Sequence, residues 1–212
     1  MNHTYVPGIL AMAMIVIASN IMVQFLILDG LLTWGAFTYP LAFLVNDIMN
    51  RVYGAPAARK AVFAGFLTGI LCSLIGSQIM LEFGPAVPLR IAVASGTAFL
   101  IAQLANVAIF DQLRQGSWWH PPLVSTLISS ALDTAIFFTL SFSAFVTFFG
   151  LVADMAISWA WKPVPFMLTG PVAPLWVTLA FADWLVKLSL ALIALVPFRV
   201  IVQRLVGQTA ST

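Results

Sequence analysis

Charge is what this chain has least of. Its 212 residues include nine lysines and arginines and seven aspartates and glutamates, 8% in all, against about 25% in an average soluble domain. So few charges cannot cover the water-facing surface of a soluble chain of this length. That excludes an ordinary soluble enzyme, a disordered chain and a nucleic-acid binder. Cysteine is nearly absent: Cys72 stands alone, so it forms no intrachain disulfide and says nothing of redox compartment. The opening residues MNHTYVPG lack the basic region of a cleaved signal peptide, so the first apolar stretch is expected to be retained.

Motifs of chemistry are missing too. His3 is near the N-terminus and His120 stands beside Trp118 and Trp119. There is no HExxH and no cysteine pair, so no metal is expected. No Walker A loop is present for ATP and no Gly-x-Ser-x-Gly elbow for acyl transfer. These residues read as neither an enzyme nor a cofactor binder.

What is there is hydrocarbon. Hydrophobic residues make up 62% of the chain, and mean hydropathy is +1.05. At about 20 apolar residues per span, the chain is expected to be an all-α integral membrane protein. It reads as one transmembrane domain over residues 1–212, a six-helix bundle with spans at 6–28, 31–49, 60–81, 89–110, 122–149 and 174–196. Asp29-Gly30 turns the chain after the first span, and Pro197 is expected to end the last. Gly150 to Pro171, with Asp154 and Lys162, either extends a helix or lies flat on the membrane. Its prolines 163, 165 and 171 argue against a seventh span. Trp118, Trp119, Trp159, Trp161 and Trp176 fall near span ends, where an indole buries its rings and keeps its N–H wet.

The sequence pI is about 9.0, but net charge is only +2, which suits loop charge setting orientation. With the N-terminus in the cytoplasm, that side holds Arg51, Arg59, Lys60, Arg114, Arg199 and Arg204, and the other side Arg90 and Lys162. This positive-inside bias places both termini in the cytoplasm. A C-terminal reporter active only outside would contradict it.

Polar residues at membrane depth carry the functional reading. A charge near the bilayer centre costs about 2.5–3.5 kcal/mol on insertion scales, and normally faces the bundle interior beside a partner. Asp183 and Lys187 are four apart on the last span, either an internal ion pair or an anchor for a ligand. Span five gathers Thr126, Ser129, Ser130, Asp133 and Thr134 on one stripe. No basic residue lies within a turn of Asp133, so its partner comes from another helix, water or a ligand. Asn20 with Gln24, and Gln103 with Asn106, are amide pairs at helical spacing, which either bind a ligand or glue helices. Asp47 and Arg51 have the spacing of a local salt bridge. Trp34, Phe37 and Tyr39 bracket Gly35 ahead of Pro40, where a broken helix beside aromatic faces is a place to stack a planar molecule. An interior of carboxylates, amides and aromatics reads as a transporter or ligand-capture protein.

The stretch Thr33 to Lys60, TWGAFTYPLAFLVNDIMNRVYGAPAARK, resembles the queuosine precursor transporter family, also called the vitamin uptake transporter family. Arg90 to Asp133 is similar to it as well, through the arginine entering span four, Gln103, FDQLRQ, the tryptophan pair and STLISSALDT. The last span, with Asp183 and Lys187, looks like the family's final helix. The resemblance implies a multi-pass protein of the bacterial cytoplasmic (inner) membrane. It implies import of 7-cyano- or 7-aminomethyl-7-deazaguanine for queuosine salvage into tRNA. It also implies a six-helix fold shared with substrate-binding subunits of energy-coupling-factor vitamin transporters. The partners are then a 7-deazapurine base and membrane lipid, with no nucleic acid bound directly; a homodimer is left open.

For that ligand, a carboxylate accepts the base's adjacent N–H donors side by side. Asp133 is the first choice and Asp183 the second. Asn20, Gln103 and Asn106 are placed to satisfy the carbonyl and ring groups, and Trp34 or Phe37 to cover a ring face. Lys187 holds Asp183 or points at the base carbonyl. Asp47, Arg90 and Ser130 complete the candidate set. Transport is either proton-coupled through the buried carboxylates or facilitated, with incorporation into tRNA as the trap. Two other readings stand beside it. One is a vitamin-binding subunit needing a separate energising module. The other is a small intramembrane enzyme on lipid substrates, disfavoured because Asp47, Asp111 and Asp154 are scattered.

Overall fold

The structure is a computed structural model that describes residues 5–82, 84–146 and 157–209. Its helices are α1 (Val6–Met22), α2 (Gly35–Thr38), α3 (Leu41–Tyr53), α4 (Ala55–Gln78), α5 (Leu89–Leu113), α6 (His120–Phe142) and α7 (Leu175–Thr209). Three two-stranded antiparallel hairpins complete it: β1 (Leu26–Ile27) with β2 (Leu32–Thr33), β3 (Met80–Leu81) with β4 (Gly84–Pro85), and β5 (Pro163–Pro165) with β6 (Val172–Pro174). Four helices, α4 to α7, are long and apolar enough to cross a membrane, which makes this a multi-pass membrane protein. The 17-residue α1 and 13-residue α3 are shorter.

The chain runs up and down the bundle. All three hairpins connect helices at one end. At the other end the joints are tight: Gly54 alone links α3 to α4, and residues 114–119 link α5 to α6. Gly54 has φ +86° and ψ 167°, a conformation that costs any other residue dearly. Lys60 Nζ donates to the Tyr5 hydroxyl at 3.1 Å, and the Arg199 guanidinium lies 4.7 Å from the Trp118 ring centre. Residue 5 and the last turns of α7 therefore share the end opposite the hairpins, here called the joint end.

Small residues set the packing. Ala94, Ala98 and Ala102 repeat every fourth residue on α5 and are buried, so α5 and α6 lie close along their length. On α4, Ala57, Ala61 and Gly65 do the same. A β-carbon at Gly65 would meet Met12 at 2.8 Å and Phe99 at 2.9 Å, so this glycine is where α1 and α5 press on α4. The core of this half gathers Met12, Val16, Ala42, Met49, Val62, Phe99 and Val107.

Several span ends differ from the sequence expectation. The first helix stops at Met22, not Leu28, because the chain turns into β1; Asp29-Gly30 lies in the turn between β1 and β2. The second span is interrupted: α2 passes into α3 through Tyr39 and Pro40, where Ala42 N–H reaches the Tyr39 carbonyl and Phe43 N–H the Pro40 carbonyl. These are three-residue bonds that tighten the helix at the proline, which kinks it without parting it. The fifth helix ends at Phe142 because Ser143 turns extended; positions 147–149 of the expected span lie outside the described residues, as do His3 and Asp154. The last helix runs through Pro197 to Thr209. The proline forfeits one backbone bond, which a helix buttressed by neighbours tolerates, and Phe198 next to it packs on Phe110 at 6.3 Å between ring centres. The described part of Gly150–Pro171 holds two short 3-10 turns, Ser158–Trp161 and Phe166–Leu168, and the strand β5.

Candidate functional site

Two buried polar centres lie along α6, about 10 Å apart for seven helical residues. The one nearer the hairpins forms where α6, α7 and the α2–α3 kink meet. Lys187 Nζ lies 2.7 Å from Asp133 Oδ2 and 2.6 Å from Asp183 Oδ2. Lys187 also donates to Thr134 Oγ1 at 3.0 Å, and the Thr134 hydroxyl lies 3.0 Å from Asp183 Oδ2. The Tyr39 hydroxyl donates to Asp133 Oδ1 at 2.9 Å, and its ring lies 5.4 Å from the Lys187 ammonium. The i,i+4 spacing of Asp183 and Lys187 thus makes an ion pair, and the partner that Asp133 lacks on its own helix comes from α7. One ammonium serves two carboxylates.

The second centre surrounds Asp47, which is 3% exposed. Its oxygens accept from Ser125 Oγ at 3.4 Å and Thr126 Oγ1 at 3.0 Å. Among the described residues no lysine or arginine lies within salt-bridge distance of it. Arg51, four residues on, donates instead to the Arg114 carbonyl at 2.8 Å, so the local Asp47–Arg51 pair is not formed. Arg114 in turn reaches the Asn50 carbonyl and, at 2.6 Å, Asn50 Oδ1. Behind Asp47, Asn106 Nδ2 lies 3.2 Å from Ser125 Oγ, and Asn46 Nδ2 donates to Gln103 Oε1 at 2.8 Å and lies 3.1 Å from Asn106 Oδ1. Three fully buried atoms on this seam, Ser129 Oγ, Gln103 Nε2 and Asn46 Oδ1, have no hydrogen-bond partner among the described residues.

A narrow cavity between α3, α6 and α7 runs beside this second centre. Asp47 and Thr126 form its polar wall; Pro40, Phe43, Ala191 and Phe198 are among its apolar lining. The free interior is about 20 Å³, room for one or two water molecules.

The other sequence candidates stand elsewhere. Asn20 donates to the Val16 carbonyl of its own helix at 2.9 Å, and Gln24, beyond the end of α1, lies 3.4 Å from the Ala86 carbonyl. Ser130 bonds the Leu127 carbonyl at 3.2 Å. Trp34 is 51% exposed, with its ring 6.0 Å from Phe37. Arg90 is fully buried and donates to the carbonyls of Leu140 at 2.9 Å and Ser143 at 2.6 Å. With the Trp161 indole N–H on the Phe142 carbonyl at 2.7 Å, it caps the end of α6, where exposed carbonyls favour a cation. Asn46 and Ser125 belong to the two centres but were not among the sequence candidates; Tyr39 stood there only as an aromatic face, and Thr126 and Thr134 only as members of the span-five stripe. The stripe on span five pointed to Thr134, and the helical spacing of Asn46 from Asn50 to an inward face; nothing local pointed to the Tyr39 hydroxyl.

Residues 33–202 match the family described as "Putative vitamin uptake transporter". A "Queuosine precursor transporter" of Escherichia coli is 31% identical over 198 residues, covering 87% of this chain and 79% of the relative. A "Probable queuosine precursor transporter" of Haemophilus influenzae is 33% identical, over 78% of this chain and 66% of its own length. A protein of the same description in Bacillus subtilis is 29% identical over 52% of this chain and 56% of its own length. No solved structure matches the chain significantly. The match across most of its length, over both polar centres, places the chain in the queuosine precursor transporter family, also described as the vitamin uptake transporter family.

Proposed function

We propose that this chain is a carrier that imports queuosine precursors, 7-cyano- or 7-aminomethyl-7-deazaguanine, across the bacterial cytoplasmic membrane, with no catalysis of its own. The observation that carries the reading is Asp47: a buried carboxylate with no cation beside it among the described residues, on the wall of an interior cavity. A charge left so at membrane depth is costly unless something else completes it. A deazaguanine offers two adjacent N–H donors, and a carboxylate accepts such a pair in parallel. Each Asp47 oxygen accepts one hydroxyl and keeps lone-pair capacity for another donor. Asn46 and Gln103 stand behind it with an unused acceptor and an unused donor for the rest of the base, and Asn106 beside it is placed to exchange partners with the base.

Asp133, Asp183 and Lys187 take a second role in this reading. Their ion pairs tie α7 to α6 on the hairpin side of the cavity. The cavity is too small for a bicyclic base, so substrate enters when α7 draws away, and the Lys187 cluster is the latch that must re-form. Trp34 and Phe37, toward the hairpin end, offer aromatic faces on the approach. The chain crosses the membrane six times, with the short α1 and kinked α2–α3 spanning beside the four long helices. The joint end, which gathers Arg51, Arg114 and Arg199, faces the cytoplasm.

The test is uptake of labelled 7-deazaguanines into proteoliposomes holding only this chain, with and without a pH gradient. Uptake is expected, and guanine is expected to compete more weakly than the deazapurines. A gradient effect would mean proton coupling, and its absence facilitated transport. Binding without uptake would make the chain a capture subunit that needs an energising module, and absence of both would end the proposal.

A further inference from the structure

α7 is longer than a membrane is thick. Its 35 residues extend about 52 Å, against about 30 Å of hydrocarbon. Some 20 residues after Leu175 the helix reaches the far surface, near Pro197. The turns beyond it lie at the level of the headgroups, and they do not stand clear of the bundle. Phe198 is buried against Phe110, and Arg199 stacks on Trp118 with its guanidinium carbon 4.7 Å from the ring centre. Between α7, the end of α3 and the α5–α6 joint lies a groove of about 460 Å³.

Its lining is of two kinds. Arg51, Arg199 and Gln203 supply cationic and amide donors; Trp118, Phe198 and Val202 supply apolar surface. Among the described residues no carboxylate lines it; the nearby Asp111 pairs with Arg114 at 3.1 Å. Arg51 is steadied by its bond to the Arg114 carbonyl, and Arg199 by its stack, so both guanidinium forks are held while N–H donors remain for another ligand. Two fixed arginines beside an apolar wall, at the depth where hydrocarbon meets headgroup, match one chemistry: a phosphodiester attached to an acyl chain.

We propose that this groove is a binding site for an anionic phospholipid of the leaflet at the joint end. The phosphate bridges Arg51 and Arg199, with an acyl chain along Val202 and Val206. Trp118 holds Arg199 over the site and marks the interface. The net positive lining selects an anionic over a zwitterionic headgroup. The site is remote from the Asp47 cavity and does not depend on what the carrier moves.

The test uses the purified full chain, freed of lipid and then offered phosphatidylglycerol or phosphatidylcholine in equal amounts, with retained lipid read by native mass spectrometry and stability by thermal melting. Phosphatidylglycerol is expected to be retained roughly 30-fold better, about 2 kcal/mol for the two arginines together, and to raise the melting temperature. In the Arg51→Gln, Arg199→Gln double variant that preference is expected to vanish, while Arg204→Gln, an exposed arginine outside the groove, keeps it. Equal retention of the two lipids by the unaltered chain overturns the proposal, and needs no variant to fold. So does an equal loss in Arg204→Gln, which means diffuse surface charge, or full displacement by millimolar inorganic phosphate, which means a site for a soluble anion.

Discussion

The two acidic centres are built from similar parts and are left in opposite states. Around Lys187, every carboxylate has a cation and a hydroxyl: Asp133 has Lys187 and Tyr39, Asp183 has Lys187 and Thr134. Around Asp47, among the described residues, there are two hydroxyls and the Asn106 amide and, behind them, Asn46 and Gln103 with unused atoms. The first arrangement satisfies itself and ties three elements together. The second lies open to a cavity and is unfinished. At membrane depth, a buried carboxylate that no cation completes among the described residues and that faces a cavity is the one that points to a ligand.

That contrast can be broken from the latch side first. Lys187→Met leaves two carboxylates buried without their cation and is expected to destabilise the chain by about 3–5 kcal/mol, seen as a lower melting temperature in detergent. If the variant melts like the unaltered chain, the cluster is not holding α6 to α7. From the cavity side, Asp47→Asn removes an uncompensated charge, so stability is expected to hold or rise. Binding of a 7-deazaguanine should weaken by about 1–3 kcal/mol, roughly 5- to 150-fold, measured by titration calorimetry. Unchanged affinity in this variant removes Asp47 from the site and returns the role to Asp133.

Smaller changes sharpen the difference. Tyr39→Phe deletes a hydrogen bond to a charged acceptor and is expected to cost about 1–2 kcal/mol of stability, with substrate affinity little altered. Thr126→Val takes one hydroxyl from Asp47 and is expected to cost about 0.5–1 kcal/mol of binding. A stability loss larger in Thr126→Val than in Tyr39→Phe would invert the assignment of latch and site.

Much of this was legible where the signal is local. Asp183 and Lys187 stand one helical turn apart, and that spacing alone makes their pair. The stripe from Thr126 to Thr134 follows from helix geometry, and Pro40 announces the kink. Contacts between helices are another matter. That Asp133 needed a distant partner could be read, but not that Lys187 would serve both aspartates, because no spacing encodes which helices touch. Asp47 and Arg51 show the converse: the right spacing formed no pair, since tertiary partners on α6 and in the α5–α6 joint claimed both. Arg90 read as a binding or topogenic charge, yet its guanidinium caps α6, a role visible only once the end of α6 is placed. Pro197 read as a stop because a lone helix pays for a proline, whereas a packed one absorbs it.

Gly54 has a consequence for biosynthesis. A single residue spans less than 4 Å, so on the six-span reading proposed above α3 and α4 enter the bilayer as one helical hairpin rather than as separate segments. Within 13 residues α3 carries Asn46, Asp47, Asn50 and Arg51, a load that insertion energetics reject in an isolated segment. α4 brings 24 residues, chiefly small and apolar. The greasy arm of the hairpin then escorts the hydrophilic one, and Asp47 is carried to depth by its neighbour.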